Sequence, residues 1–157
     1  MSGAGDGWFR TRVPVRFRDL DAMGHAHHTL PLIYLEEARA AFWRELRGSA
    51  AVESIDYVMA EITVRFHARI RYPSDVTVGL AVQRVGAKSF TTGFEVRSAE
   101  GELLSSGSAV QVSFDYAADR SKPIDGDVRT ALEAWLARYQ NSSAMPADTA
   151  PIIPPST

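Results

Sequence analysis

The chain predicts an α+β domain in which an antiparallel sheet curls around one long helix, and three observations predict it. Residues 30–47 carry apolar side chains at spacings of three and four, the mark of a helix with a buried face. From Ala60 onward the apolar repeat drops to two, the mark of half-buried strands. The segments between the later strands are only a few residues long, which joins antiparallel neighbours.

Each element follows in chain order. Residues 1–7 are rich in Gly and Ser and are expected to be disordered. Val13, Val15 and Phe17 alternate with Arg12, Pro14, Arg16 and Arg18, predicting a short strand with one buried face, and Pro14 places it at an edge. Leu30, Ile33, Tyr34, Ala38, Ala41, Phe42 and Leu46 form the main stripe of the helix. Thr29 is positioned to cap it, Pro31 suits its first turn and Gly48 stops it. Leu32, Leu35, Ala40 and Trp43 add apolar surface off that stripe, so other structure should surround the helix on most sides. The link from Ser49 to Tyr57 has no clear pattern.

Ile62, Val64, Phe66, Ala68 and Ile70 then predict one long strand ending at the turn Tyr72-Pro73-Ser74-Asp75. Val76–Val82, Phe90–Val96 and Leu104–Asp115 complete a four-strand meander, with strands long enough for a twisted sheet to curl. A second helix is expected over Asp127–Tyr139, closing one end of the domain. The boundaries are therefore a disordered 1–7, one domain over 8–139 and a flexible tail over 140–157.

The 157 residues, 45% of them hydrophobic, suit one domain with a substantial core. A formal charge of -2 gives no general reason to expect nucleic acid or a membrane surface as partner. The absence of cysteine excludes disulfides, a thiol nucleophile and thiolate metal sites. No apolar run is long enough to span a membrane and the first residues are not signal-like, so a cytoplasmic protein is expected.

The chemistry concentrates where the chain leads into the first helix, in Asp19-Leu20-Asp21-Ala22-Met23-Gly24-His25-Ala26-His27-His28-Thr29. Carboxylates, a glycine and histidines crowd a helix N-terminus, where unpaired N–H groups and partial positive charge collect. That combination suits chemistry on an anion.

The sequence here resembles hotdog-fold acyl-CoA thioesterases of the 4-hydroxybenzoyl-CoA thioesterase type. The resemblance is carried by Val15-Arg16-Phe17-Arg18-Asp19-Leu20-Asp21-Ala22-Met23-Gly24-His25, by Tyr34-Leu35-Glu36-Glu37-Ala38-Arg39, by Gly86-Ala87-Lys88-Ser89 and by Arg120-Ser121-Lys122-Pro123-Ile124. It implies a long central α-helix wrapped by a strongly curved antiparallel sheet, and a homodimer or homotetramer with active sites between subunits. It also implies hydrolysis of an acyl-CoA or acyl-carrier-protein thioester without a cofactor. Asp21 would be the catalytic carboxylate, the backbone N–H near His28 the oxyanion donor, and Gly24 the residue that lets the loop approach the thioester. Relatives commonly continue Val-Asn-Asn with an aromatic next, where this chain has Ala26, His27, His28 and Pro31.

Read as chemistry, Asp21 could activate water or attack the carbonyl to form an anhydride, and the residues do not choose between these routes. A backbone donor aimed at the developing oxyanion can contribute about 3 kcal/mol to the rate. Asp19 is expected to be structural, fixing the loop or pairing with Arg16 or Arg18. His25, His27 and Tyr34 are expected on the substrate side, with His25 also bracing the loop. Arg65, His67, Arg69 and Arg71 share one strand face, and a subset of them with Lys88, Arg120 or Lys122 is expected to meet the phosphates of coenzyme A, Arg65 and Lys88 being named for the substrate side. Ser89 either touches the pocket or begins a strand. Three alternatives stay open: a hotdog dehydratase or hydratase, a non-catalytic acyl-thioester binding module, and a metal site made from the histidines and Asp21.

Overall fold

The computed structural model describes residues 4–48 and 55–142. Six strands and two α-helices follow one another as β1 (Trp8–Pro14), α1 (Leu30–Arg47), β2 (Tyr57–Phe66), β3 (Asp75–Val85), β4 (Ser89–Ser98), β5 (Leu103–Asp115), β6 (Arg120–Ser121) and α2 (Gly126–Asn141). The strands form one antiparallel sheet in the order β1-β3-β4-β5-β2, with β6 paired to β5. This is the α+β hotdog architecture that the sequence predicted.

The core lies between α1 and the sheet. Tyr34, Leu35, Ala38, Phe42 and Trp43 of α1 are buried, as are Val76, Val78, Leu80 and Val82 of β3 and Phe90, Phe94 and Val96 of β4. Each large side chain removed from water here contributes about 1.5–3 kcal/mol. Pro31 does occupy the first turn and Gly48 takes the left-handed conformation at the helix end, φ 64°. The buried face is rotated from the expected stripe: Ile33 is 41% exposed, whereas Leu35 and Trp43, read as lying off the stripe, are at 0% and 4%. At the far end Phe9, Phe42 and Trp135 meet edge to face or tilted, with ring centres 5.2–6.2 Å apart, so α2 closes the domain as expected.

Three expectations are corrected. The meander is β3-β4-β5 alone, because β2 crosses over to pair with β5 and β3 takes β1 as its other neighbour. The strand predicted to reach Ile70 leaves the sheet after Phe66: the N–H groups of His67 and Ala68 both donate to the Leu104 carbonyl, at 2.9 and 3.2 Å, which ends the ladder and starts the crossover. Phe17, expected on a buried strand face, begins a 3-10 turn over Phe17–Asp19 and is 74% exposed. Pro14 does sit at the end of an edge strand. In the stretch read as disordered, Ala4–Asp6 form a 3-10 turn, and Asp6 accepts hydrogen bonds from Trp8 N–H and the Arg10 guanidinium. The unpatterned link at 49–54 and the tail beyond 142 lie outside the described residues.

Candidate active site

Loop 19–29 is a small hairpin built by its own backbone. Leu20 bridges Ala26, Asp21 N–H donates to the His25 carbonyl at 3.1 Å, and Gly24 N–H donates to the Asp21 carbonyl at 3.1 Å. The turn requires φ 81° at Gly24, a conformation that L side chains rarely adopt. The Gly24 Cα faces open space, since an added Cβ would meet nothing within 4 Å. Gly24 thus forms the turn, and it is not among the residues that line the cleft.

The loop is tied down at three places. Ala26 N–H donates to the Ile70 carbonyl at 2.9 Å, joining it to the crossover. His27 N–H donates to the Asp19 carbonyl at 3.1 Å, closing it on itself. The Asp19 carboxylate, 4% exposed, accepts from the Tyr34 hydroxyl at 2.8 Å, from Arg16 N–H at 2.9 Å and from the Arg16 guanidinium at 3.2 Å, joining it to α1.

Burial pushes the Asp19 carboxyl upward, but those donors outweigh it and hold the group below the usual carboxylate range; burial and the same bond push the Tyr34 phenol up. A depressed folded-state value adds stability above the ordinary Asp range near about 3.9, and this is lost as pH falls through the folded value. Asp19→Asn should therefore flatten the acid side of the stability curve, read as Tm between about pH 5 and 2.

Between this loop and residues 66–70 lies a cleft of about 380 Å³, walled by Asp21, His25, His27 and His28 on one side and by Phe66, Ala68, Arg69 and Ile70 on the other. The Asp21 side chain is 25% exposed. Its Oδ1 accepts Met23 N–H at 2.8 Å and lies 4.0 Å from His25 Nδ1, which leaves Oδ2 without a partner among the described residues. The amides leading into α1 are mostly engaged: His27 N–H with Asp19, Thr29 N–H with His27 Nδ1 at 3.3 Å, Leu30 N–H with the His27 carbonyl at 2.9 Å. The His28 N–H has no acceptor among the described residues.

Thr29 makes no side-chain cap; the His27 ring takes that place, its Nδ1 accepting Thr29 N–H and lying 2.9 Å from Thr29 Oγ1. An accepting Nδ1 puts the proton of the neutral ring on Nε2. The His27 and His28 rings stack with centres 4.0 Å apart.

Within a single chain the structure thus brings Asp21, His25, His27 and His28 to one cleft and places the other candidates away from it. Tyr34 is 1% exposed and holds Asp19 instead of a substrate. Lys88 and Ser89 sit at the opposite end of the β4–β5 ladder, Ser89 opposite Val112, whereas Ser105 marks the cleft end. Arg65 is exposed on β2 opposite Ser106, on the other sheet face from Ser105. Lys122 is committed to Asp56 at 2.6 Å and Asp125 at 3.5 Å, and the Asp56 contact raises its pKa.

Ala68 and Ile70 of the crossover were read as strand positions, so their place in the cleft wall beside Phe66 at the end of β2 was missed. His67 adjoins the cleft, but its Nε2 is 2.8 Å from Ser106 Oγ, which turns the ring to the far sheet face. Among the described residues no three His, Cys, Asp or Glu side chains are grouped to hold a metal ion.

Residues 15–132 match the family model of the thioesterase-like superfamily. The chain belongs to that superfamily. Its structure is similar to a thioesterase from Thermus thermophilus solved with coenzyme A and zinc, at 28% identity and a TM-score of 0.74, over 85% of this chain and 96% of that one. It is also similar to PA2801 of Pseudomonas aeruginosa, at 29% identity and a TM-score of 0.71, over 78% and 96% of the two chains. The Bacillus subtilis (strain 168) protein YsmA, itself uncharacterized, is 26% identical over 104 residues, 66% of this chain and 71% of that one. Within the thioesterase-like superfamily, thioester hydrolysis is the general activity to which the fold and these similarities point.

Proposed function

We propose that the protein hydrolyses an acyl-CoA thioester, with an acyl-carrier-protein thioester as a variant, in the cleft between loop 19–29 and the crossover. One observation carries this reading: the Asp21 carboxylate and the unpaired His28 N–H belong to the same short loop, at the wall of one cleft. A thioester carbonyl placed there meets a carboxylate at carbon and a backbone donor at oxygen. Met23 N–H holds Oδ1, so Oδ2 is the oxygen available to take a proton from water or to attack the carbonyl itself. In either route negative charge grows on the carbonyl oxygen, and the His28 N–H gains most from that charge in the transition state.

The apolar walls, Ala26, Pro31, Phe66, Ala68 and Ile70, suit the acyl group. Arg69 on the wall makes no ion pair among the described residues, and its guanidinium group suits the phosphates of the carrier. The chain would act as a homodimer or homotetramer. β2 ends the sheet with Glu61, Thr63 and Arg65 along it, and Phe66 at its end is 56% exposed on the cleft wall. A second copy on that edge would extend the sheet and cover Phe66, putting the site at the subunit boundary. The cytoplasm, where acyl-CoA is made and used, suits this reading.

The test is release of free thiol, followed with a thiol-reactive dye, from aromatic, short, medium and long acyl-CoAs. Steady release from at least one class is expected. Tight acyl-CoA binding with no thiol released from any of them would leave a binding module instead.

A further inference from the structure

Asp19 joins α1 to both arms of loop 19–29. Its side chain accepts the Tyr34 hydroxyl at 2.8 Å, so it is fixed to the first turns of α1. Its main-chain carbonyl accepts His27 N–H at 3.1 Å, so the same residue holds the returning arm of the loop. Asp21 lies two residues after it along the outgoing arm, and the unpaired His28 N–H lies one residue beyond His27 on the returning arm. Alongside the Leu20–Ala26 bridge and the bond from Asp21 N–H to the His25 carbonyl, Asp19 thus joins the arms that carry the carboxylate and the amide donor, and its side chain ties them to the helix by one phenol.

The hydroxyl is redundant for packing. Tyr34 is 1% exposed within the core, where its ring fills volume as a phenylalanine would. The hydroxyl is needed only because a buried carboxylate must have donors. A pair of apolar residues would fill this space at less electrostatic cost, so the buried ion is explained by the geometry it imposes.

We propose that Tyr34 and Asp19 are positioning residues, a buried lock that holds Asp21 and the His28 N–H at the separation the reaction needs; this rests on the thioesterase reading above. Neither residue touches the substrate. The lock acts on the chemical step far more than on binding of the carrier, because Phe66, Ala68, Arg69 and Ile70 of the facing wall lie outside the loop and α1.

The test is Tyr34→Phe, which keeps the ring and removes the donor. Displacements of about 1 Å at reacting groups can cost 10²-fold, so kcat should fall roughly 10- to 100-fold with KM within about twofold of wild type. Hydrogen exchange should quicken at the hydrogen-bonded amides of Ala26 and His27 while β3 and β4 keep their protection. Unchanged kcat overturns the proposal. So does a loss of kcat accompanied by faster exchange across the whole sheet, which is what a merely structural role gives. If the wild-type protein releases no thiol from any acyl-CoA, the enzymatic reading fails; the exchange measurement still decides on the lock, since uniform or absent change at Ala26 and His27 shows there is none.

Discussion

Asp21→Asn should lose at least about 10³-fold in kcat for acyl-CoA hydrolysis while keeping the wild-type fold and Tm within a few degrees. The substitution is nearly isosteric and the Asp21 side chain is a quarter exposed, so little packing is disturbed. An amide oxygen can still accept from Met23 N–H, which at 2.8 Å supports the turn. What disappears is the free Oδ2 charge, and with it both routes open to this residue: an amide neither takes a proton from water near neutral pH nor attacks a thioester. Comparison of kcat and melting temperature for the two proteins checks this. Full activity in a folded Asp21→Asn protein would remove Asp21 from the mechanism.

Gly107→Ala should be the most damaging single methyl group in the sheet, costing about 3 kcal/mol or more. A Cβ at Gly107 would lie inside the van der Waals envelope of the Thr63 carbonyl oxygen on β2 and 2.9 Å from the Phe94 ring. The first of these neighbours is backbone and cannot turn aside, so β2 would have to lift from β5. Gly93→Ala is the control. There the obstruction is the end of the Gln83 side chain, which is exposed and can move, so the cost should stay near about 1 kcal/mol. Denaturant midpoints for the two variants separate the cases. Because β2 also leads into the crossover, Gly107→Ala should weaken the cleft together with the sheet.

Much of this arrangement was legible in the sequence because it rests on local rules. Pro31, Gly48 and the change of period at Ala60 pointed to the long helix and the strands, and the crowding of Asp19 to Thr29 at a helix start pointed to the loop that walls the cleft. The failures were non-local. Whether β2 pairs with β3 or with β5 depends on the path of the crossover, and a period-two pattern running through Ile70 does not reveal that the chain leaves the sheet at Phe66. Tyr34 reads equally as a pocket wall or as core, and only its contact with Asp19 decides. Lys88 and Ser89 carry suitable chemistry for a carrier or acyl contact, but register puts them at the other end of β5 from the cleft. The positive φ at Gly24 was not read from the sequence, since a glycine needed for positive φ and one needed for close approach look the same there.

In the proposed reaction a thioester carbonyl lies between Asp21 and the His28 amide. A crystal structure of Asp21→Asn with an acyl-CoA turned over by the wild-type protein would show it. The carbonyl oxygen is expected about 3 Å from His28 N, with the carbonyl carbon facing the residue-21 side chain. An acyl group bound with its carbonyl turned away from both, or seated outside the cleft, would contradict it.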